Sequence, residues 1–221
     1  MQISSHIGSQ LVDLCSALLL LTCFAIVAQR RLSACVDLFA LQSAFLVLTA
    51  ALVAFLTGNH HIYIAAGLTG LIKVVIIPRV LKKVIERLNV KRELVMNVNV
   101  SAGLLICGAL VMLAFFITQP ILPLGFLLTR DSLAIAFAIV LIGFFTMIAR
   151  QKAVSQLVGF LVMENGLFLG ATAATYGMPL IVELGVFFDV LIAVLIAGIY
   201  TNRLQDAFDS VDTSHLTVLK E

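Results

Sequence analysis

The stretch QLVGFLVMENGLFLGATAA, residues 156–174, is apolar at almost every position and carries a glutamate, Glu164, near its middle. About 20 such residues cross roughly 30 Å of hydrocarbon as a helix. A carboxylate at the centre of that helix would have no water to solvate it. Whether this stretch is a membrane span therefore decides the fold, and with it the question of what the acid is for.

The rest of the chain answers the first part. Its 221 residues are 62% hydrophobic and 12% charged, with no Trp. A soluble domain of that size needs more polar surface to cover its core. Apolar runs of about 20 residues recur from end to end, and helices are the only open-chain way to satisfy backbone groups in lipid. The expected fold is all-α, a polytopic membrane protein of about seven spans: 7–28, 33–56, 61–80, 98–118, 131–149, 153–175 and 179–200. Turn and charge signals separate them, in AQRRLS, TGNHH, the basic stretch 79–93, TQPILPLG, ARQK and TYGMP. The first span has no basic segment before it and no small-residue cleavage site after it, and is expected to be a retained helix.

Basic residues set an expected orientation. Alternate loops hold Arg30 and Arg31; Arg79, Lys82, Lys83, Arg87, Lys91 and Arg92; Arg150 and Lys152; and Arg203 and Lys220. That is 12 of the 14 Lys and Arg residues on one side, against Arg130 alone on the other, with Lys73 inside a span. By the positive-inside rule the N-terminus is outside and the C-terminus cytoplasmic.

Several chemistries find no support. The sequence has no Walker loop, no GxGxxG opening a helix and no nucleophile elbow. Cys15, Cys23, Cys35 and Cys107 fall inside apolar spans without a CxxC pair, which reads as packing. His60 and His61 are adjacent at a helix end, and the spans proper hold no histidine for haem. No metal site and no cofactor of the chain's own are expected. The basic stretch lacks interleaved aromatics, so nucleic acid is not an expected partner.

The ionisable residues within the spans remain. Asp13 and Asp37 lie shallow, where water or a neighbouring helix can serve them. Glu183 is also near an outer helix end, where an interfacial or packing role competes with a place in a relay. Glu164 is about 16 Å deep and Asp189 about 15 Å, at 1.5 Å per residue, on consecutive antiparallel helices. Lys73, in GLIKVVIIP, is similarly deep. Each charge at mid-helix costs roughly 2.5–3.5 kcal/mol to insert. Ionisable groups taken out of water become closer in proton affinity, and moving one charge shifts the affinity of the next. That favours proton relay. Two static alternatives stand beside it: neutral acids making interhelical hydrogen bonds, or a fixed Lys–carboxylate pair. Gly159, Gly166 and Gly170 are consistent with Glu164 facing a partner helix and not lipid.

GFLVMENGLFL at 159–169, LIVELGVFFDVLIAVLIAGIY at 180–200, the tail VDTSHLTVLKE and LIKVVIIP at 71–78 together resemble hydrogenase-4 component E, a membrane subunit of complex-I-like group 4 [NiFe] hydrogenases. The last three helices are similar to subunit K of respiratory complex I and to the C subunit of multisubunit cation/proton antiporters. The resemblance divides the chain into a four-helix part (1–128), a subunit-K-like three-helix part (129–203) and a cytoplasmic tail (204–221). It implies two midmembrane acids, Glu164 and Asp189, with Lys73 in the family's third-helix lysine segment; Glu183 is a further relay candidate from its place in the last span. The second acid departs from the subunit K pattern in being Asp, and the asparagine follows the first acid directly. Implied partners are antiporter-like membrane subunits and the hydrogenase subunits that carry nickel–iron and iron–sulfur centres, in a bacterial or archaeal inner membrane. An antiporter subunit without a redox partner and a structural scaffold are the competing readings.

Overall fold

The computed structural model describes residues 2–57, 60–87, 98–120, 130–151 and 153–175, and among them all regular structure is helical. Helix α1 spans Gln2–Ala28 and α2 Leu32–Thr57. Next comes a continuous helical stretch in three pieces: α3 (His60–Thr69), a π-helical segment (Gly70–Ile76) and α4 (Ile77–Arg87). Then follow α5 (Val100–Thr118), α6 (Arg130–Ala149) and α7 (Ala153–Thr175).

Among the described residues five helices are long and apolar enough to cross a membrane: Gly8–Ala28, Leu32–Leu56, Val100–Thr118, Asp131–Ala149 and Val154–Ala174. They coincide with the first, second, fourth, fifth and sixth expected spans. The third expected span is helical too, but the π-segment interrupts it. The seventh lies outside the described residues.

Two hairpins, α1–α2 and α6–α7, pack face to face, with α1 on α6 and α2 on α7. The interrupted helix 60–87 lies against α2 on one flank, and α5 lies against α1 and α6 on the other. Leu19, Phe39, Leu46, Ile139, Ile142 and Leu161 fill the middle and are essentially inaccessible. Large apolar side chains also face outward, with Leu105 77%, Met112 76% and Phe116 73% exposed along α5. On a soluble monomer such a stripe would be an aggregation hazard. Lipid tails are as apolar as leucine, so in a bilayer it is an ordinary outer surface.

Without a hydrophobic drive between helices, close association depends on shape. Along α6–α7 glycine supplies it. A Cβ on Gly143 would stand 2.6 Å from the backbone nitrogen of Met163 and 2.7 Å from its Cα. One on Gly166 would meet the Ala136 carbonyl oxygen and the Ile139 Cγ2 at 2.9 Å each. The glycines around Glu164 thus press α7 onto α6. Glu164 itself, two positions before Gly166 and so on the far side of the helix, is turned the other way.

The basic ends converge. Arg150, at the end of α6, donates from Nη2 to the carbonyls of Ile26 (3.0 Å), Val27 (3.4 Å) and Gln29 (3.1 Å). These include carbonyls of the last turn of α1, where intrahelical donors run out; the Ile26 carbonyl also takes the Gln29 N–H at 3.3 Å. A cationic side chain there also complements the helix dipole. Burial pushes the Arg150 guanidinium below its ordinary value, which starts high enough for it to stay charged. Lys82, near the end of α4, pairs with Asp37, near the start of α2. At the opposite end Ser132 of α6 donates to Asp13 Oδ1 of α1 (3.2 Å) and contacts Ser16 Oγ (2.9 Å). So α1 and α6 run parallel, as alternate counting through the spans demands, and these contacts bring Arg150 and Lys82 to one end of the bundle. Both shallow acids, Asp13 and Asp37, are served by neighbouring helices.

The helix 60–87 continues past the apolar stretch with one face on the bundle. Leu81, Val84 and Ile85 are buried, while Arg79, Lys83 and Glu86 are exposed, the amphipathic division that their spacing predicts.

Replacing Gly143 with alanine forces two backbones apart and is expected to lower the stability of the folded chain by about 1–3 kcal/mol. Gly108→Ala, where nothing lies within 4 Å, should be neutral. Unfolding in mixed micelles followed by circular dichroism compares them, and equal midpoints would contradict the tight α6–α7 contact.

Candidate functional site

Lys73 stands in the middle of the π-segment and is wholly buried. The helix is right-handed through both junctions, with φ −58° and ψ −42° at Thr69 and φ −58° and ψ −49° at Ile77. The Ile77 N–H reaches back five residues to the Ile72 carbonyl, the signature of the wider turn. One local cause is Pro78, whose ring clashes with the carbonyl four residues earlier and offers no N–H. Widening the turn just before it relieves that crowding. Single π-turns of this kind recur at functional sites.

Across from Lys73, on α7, are Glu164 and Asn165. The Lys73 Nζ lies 3.1 Å from Glu164 Oε1, an ion pair whose side chains are 0% and 7% exposed. The same Nζ donates to Asn165 Oδ1 at 3.1 Å. Asn165 Nδ2 in turn donates to Gln42 Oε1 (3.1 Å) and to Ser43 Oγ (3.2 Å), both on α2. Gln42 Nε2 completes the series, donating to the Leu19 carbonyl on α1 (3.2 Å) and to Cys23 Sγ (2.8 Å). Lys73, Gln42, Ser43 and Asn165 are all 0% exposed and Glu164 is 5% exposed. A polar thread therefore runs through the centre of the bundle, from the π-segment through α7 and α2 to α1.

Charge singled out Lys73 and Glu164 in the sequence, and the tertiary structure brings them into contact. Asp189 and Glu183 lie outside the described residues. Gln42, Ser43 and Asn165 carry no charge and escape a search for ionisable groups. The signal that could have found them is weaker: polar side chains at mid-span, where an unsatisfied amide costs several kcal/mol. Among the described residues no group of three or more His, Cys, Asp or Glu gathers in a way that could hold a metal ion. The four cysteines are free and buried. What the arrangement can do is hold a fixed cation and a fixed anion in contact, away from water, inside a directional set of hydrogen bonds.

The fold and this site define a helical membrane protein with a buried lysine–glutamate pair and no described catalytic centre. Over 215 residues the chain is 38% identical to the uncharacterized protein Rv0085 of Mycobacterium tuberculosis, covering 96% of this chain and 97% of that one. It is 24% identical over 216 residues to hydrogenase-4 component E of Escherichia coli K12, covering 96% of this chain and 99% of the relative, with the same figures for the Shigella flexneri protein of that name. The chain belongs to the family that these proteins form, the hydrogenase-4 component E homologues. No family model and no solved structure matches it.

A buried ion pair is costly to break from one side. Lys73→Met leaves the Glu164 carboxylate facing an apolar side chain, and is expected to destabilise the chain by roughly 3–5 kcal/mol. The double substitution Lys73→Met/Glu164→Leu removes both charges and should recover most of that loss. Folded yield after detergent extraction reads the difference. A double variant no better than the single one would contradict direct pairing.

Proposed function

We propose that the chain is an integral membrane subunit of a hydrogenase complex, and that the Lys73–Glu164 pair is one link of a proton relay through the membrane arm of that complex. One observation carries the reading: an ion pair buried at mid-span, joined to a continuous polar thread. Charged groups at this depth pair with one another and mark ion pathways by default. Membership of a hydrogenase complex follows the name of the Escherichia coli relative, aligned over almost its whole length.

In this reading the basic end of the bundle, with Arg150 and Lys82, is cytoplasmic, and the chain sits in a bacterial or archaeal inner membrane. Antiporter-like membrane subunits flank it, and nickel–iron and iron–sulfur subunits supply the electron transfer. A proton arriving at Glu164 converts its carboxylate to the neutral acid and takes away the counter-charge of Lys73. The ammonium is then drawn toward the next acid, and Glu164 releases its proton once an opposing charge returns. Coulomb energy between near neighbours in a poorly solvated interior is large enough to couple the two events. Asp189 and Glu183, in the seventh expected span, are the proposed continuation.

The test is Glu164→Gln in the native complex, reconstituted in vesicles. Gln keeps the shape and removes the ionisable group. Hydrogen-linked electron transfer should continue, while ion movement across the vesicle falls to background. Ion movement at the wild-type rate in an assembled complex would reduce the pair to a static fastening. Nickel and iron–sulfur clusters are expected to co-purify with the chain. A complex that moves ions without them would instead be an antiporter.

A further inference from the structure

The hydrogen bonds around Lys73 have an order that the ion pair alone does not require. An amide side chain offers two N–H donors on nitrogen and acceptors on oxygen. Both Gln42 Nε2 contacts are acceptors, the Leu19 carbonyl at 3.2 Å and Cys23 Sγ at 2.8 Å. Its Oε1 takes a hydrogen from Asn165 Nδ2 at 3.1 Å, and the second contact of that Nδ2 is Ser43 Oγ at 3.2 Å. Asn165 Oδ1 is then the atom that meets Lys73 Nζ, at 3.1 Å. Every donor along Lys73, Asn165, Gln42 and Leu19 points the same way.

The order is locked from its far end. A backbone carbonyl can only accept. Were Gln42 to turn over, Oε1 would face the Leu19 oxygen and Nε2 would face Asn165 Nδ2, placing acceptor against acceptor and donor against donor. Were Asn165 to turn over, its Nδ2 would face the Lys73 ammonium and its Oδ1 would face Gln42 Oε1. In a site with no exposure each mismatch leaves polar atoms unsatisfied, and partly satisfied buried networks are strongly disfavoured.

We propose that Gln42 and Asn165 are positioning residues for the Lys73–Glu164 pair. Their one-way chain of amides, anchored on the Leu19 carbonyl, holds Asn165 Oδ1 against Lys73 and so keeps the ammonium beside Glu164. Ser43 is the second anchor of the same asparagine. Gln42 touches neither member of the pair and acts through Asn165. The acceptor it secures persists when Glu164 takes a proton, so an ammonium drawn toward the next acid still has a polar partner beside Glu164 to return to. The purpose of the device rests on the relay reading above, but its geometry is tested without it.

The experiment is solid-state NMR on the full chain in lipid bilayers, with 15N-lysine and 13C-glutamate. Dephasing between Lys Nζ and Glu Cδ reports the short contact, which Lys73→Met assigns. Gln42→Met keeps an unbranched side chain of similar volume and removes both amide functions. It is expected to weaken the Lys73–Glu164 signal, and Asn165→Leu to weaken it further. Cys23→Ala removes a neighbour of Gln42 while leaving the carbonyl lock, and should keep the full signal. Wild-type signal in both Gln42→Met and Asn165→Leu overturns the proposal, as does a loss in Cys23→Ala equal to that in Gln42→Met. In the reconstituted complex Gln42→Met should lower the ions moved per electron pair without stopping electron transfer. Normal ion movement in Glu164→Gln, with the NMR losses still present, would remove the relay and leave the positioning role standing.

Discussion

A charge in hydrocarbon has to be matched by another charge or by a set of fixed dipoles, and the centre of this bundle is arranged around that requirement. Lys73 and Glu164 meet at 3.1 Å with almost no exposure. Neither could occupy its depth alone at small cost. Their meeting imposes conditions on the whole fold. Helix 60–87 has to lie close enough to α7 for a lysine to cross the gap. Helix α7 has to turn Glu164 and Asn165 toward α2 and the π-segment, and that fixes which of its faces is left for α6.

The glycines follow from that division of labour. With one face of α7 committed to polar contacts, the opposite face holds the helix in place by close approach. Gly143 and Gly166 bring the α6 and α7 backbones to distances that no side chain would permit. Membrane helices gain little from burying apolar surface against one another, so fit has to supply what the hydrophobic effect supplies in water. The π-turn belongs to the same logic on the other side. It gives Pro78 room and sets the facing of Lys73 at the level of Glu164.

The ends of the bundle show how a membrane protein handles its helix termini. Arg150 closes the C-terminal carbonyls of α1 from a different hairpin, and Asp37 is met by Lys82. Of the acids that look shallow in the sequence, Asp13 and Asp37 meet partners on neighbouring helices, while the deep Glu164 meets Lys73, which is joined to the central thread. A shallow charge can reach water or a neighbouring polar end and a deep one cannot.

Much of this was legible before any coordinates. Apolar runs of membrane length identify the helices, since a lipid environment leaves the backbone no other open-chain solution. Depth along a span picks out Lys73, Glu164 and Asp189, the last outside the described residues, since the insertion cost of a charge depends on position along a span. Sequence could not say that Lys73 and Glu164 meet. They stand 91 positions apart on helices whose mutual facing depends on packing that no local pattern encodes. Nor could it single out Gln42, Ser43 and Asn165, because an uncharged amide is unremarkable until its neighbours show it to be the middle of a chain. The glycines beside Glu164 announced a protein-facing helix, but only the tertiary arrangement decided that they face α6 while the acid faces away. Span and depth are one-dimensional quantities fixed by residue type; pairing and hydrogen-bond direction arise only when the helices take their places.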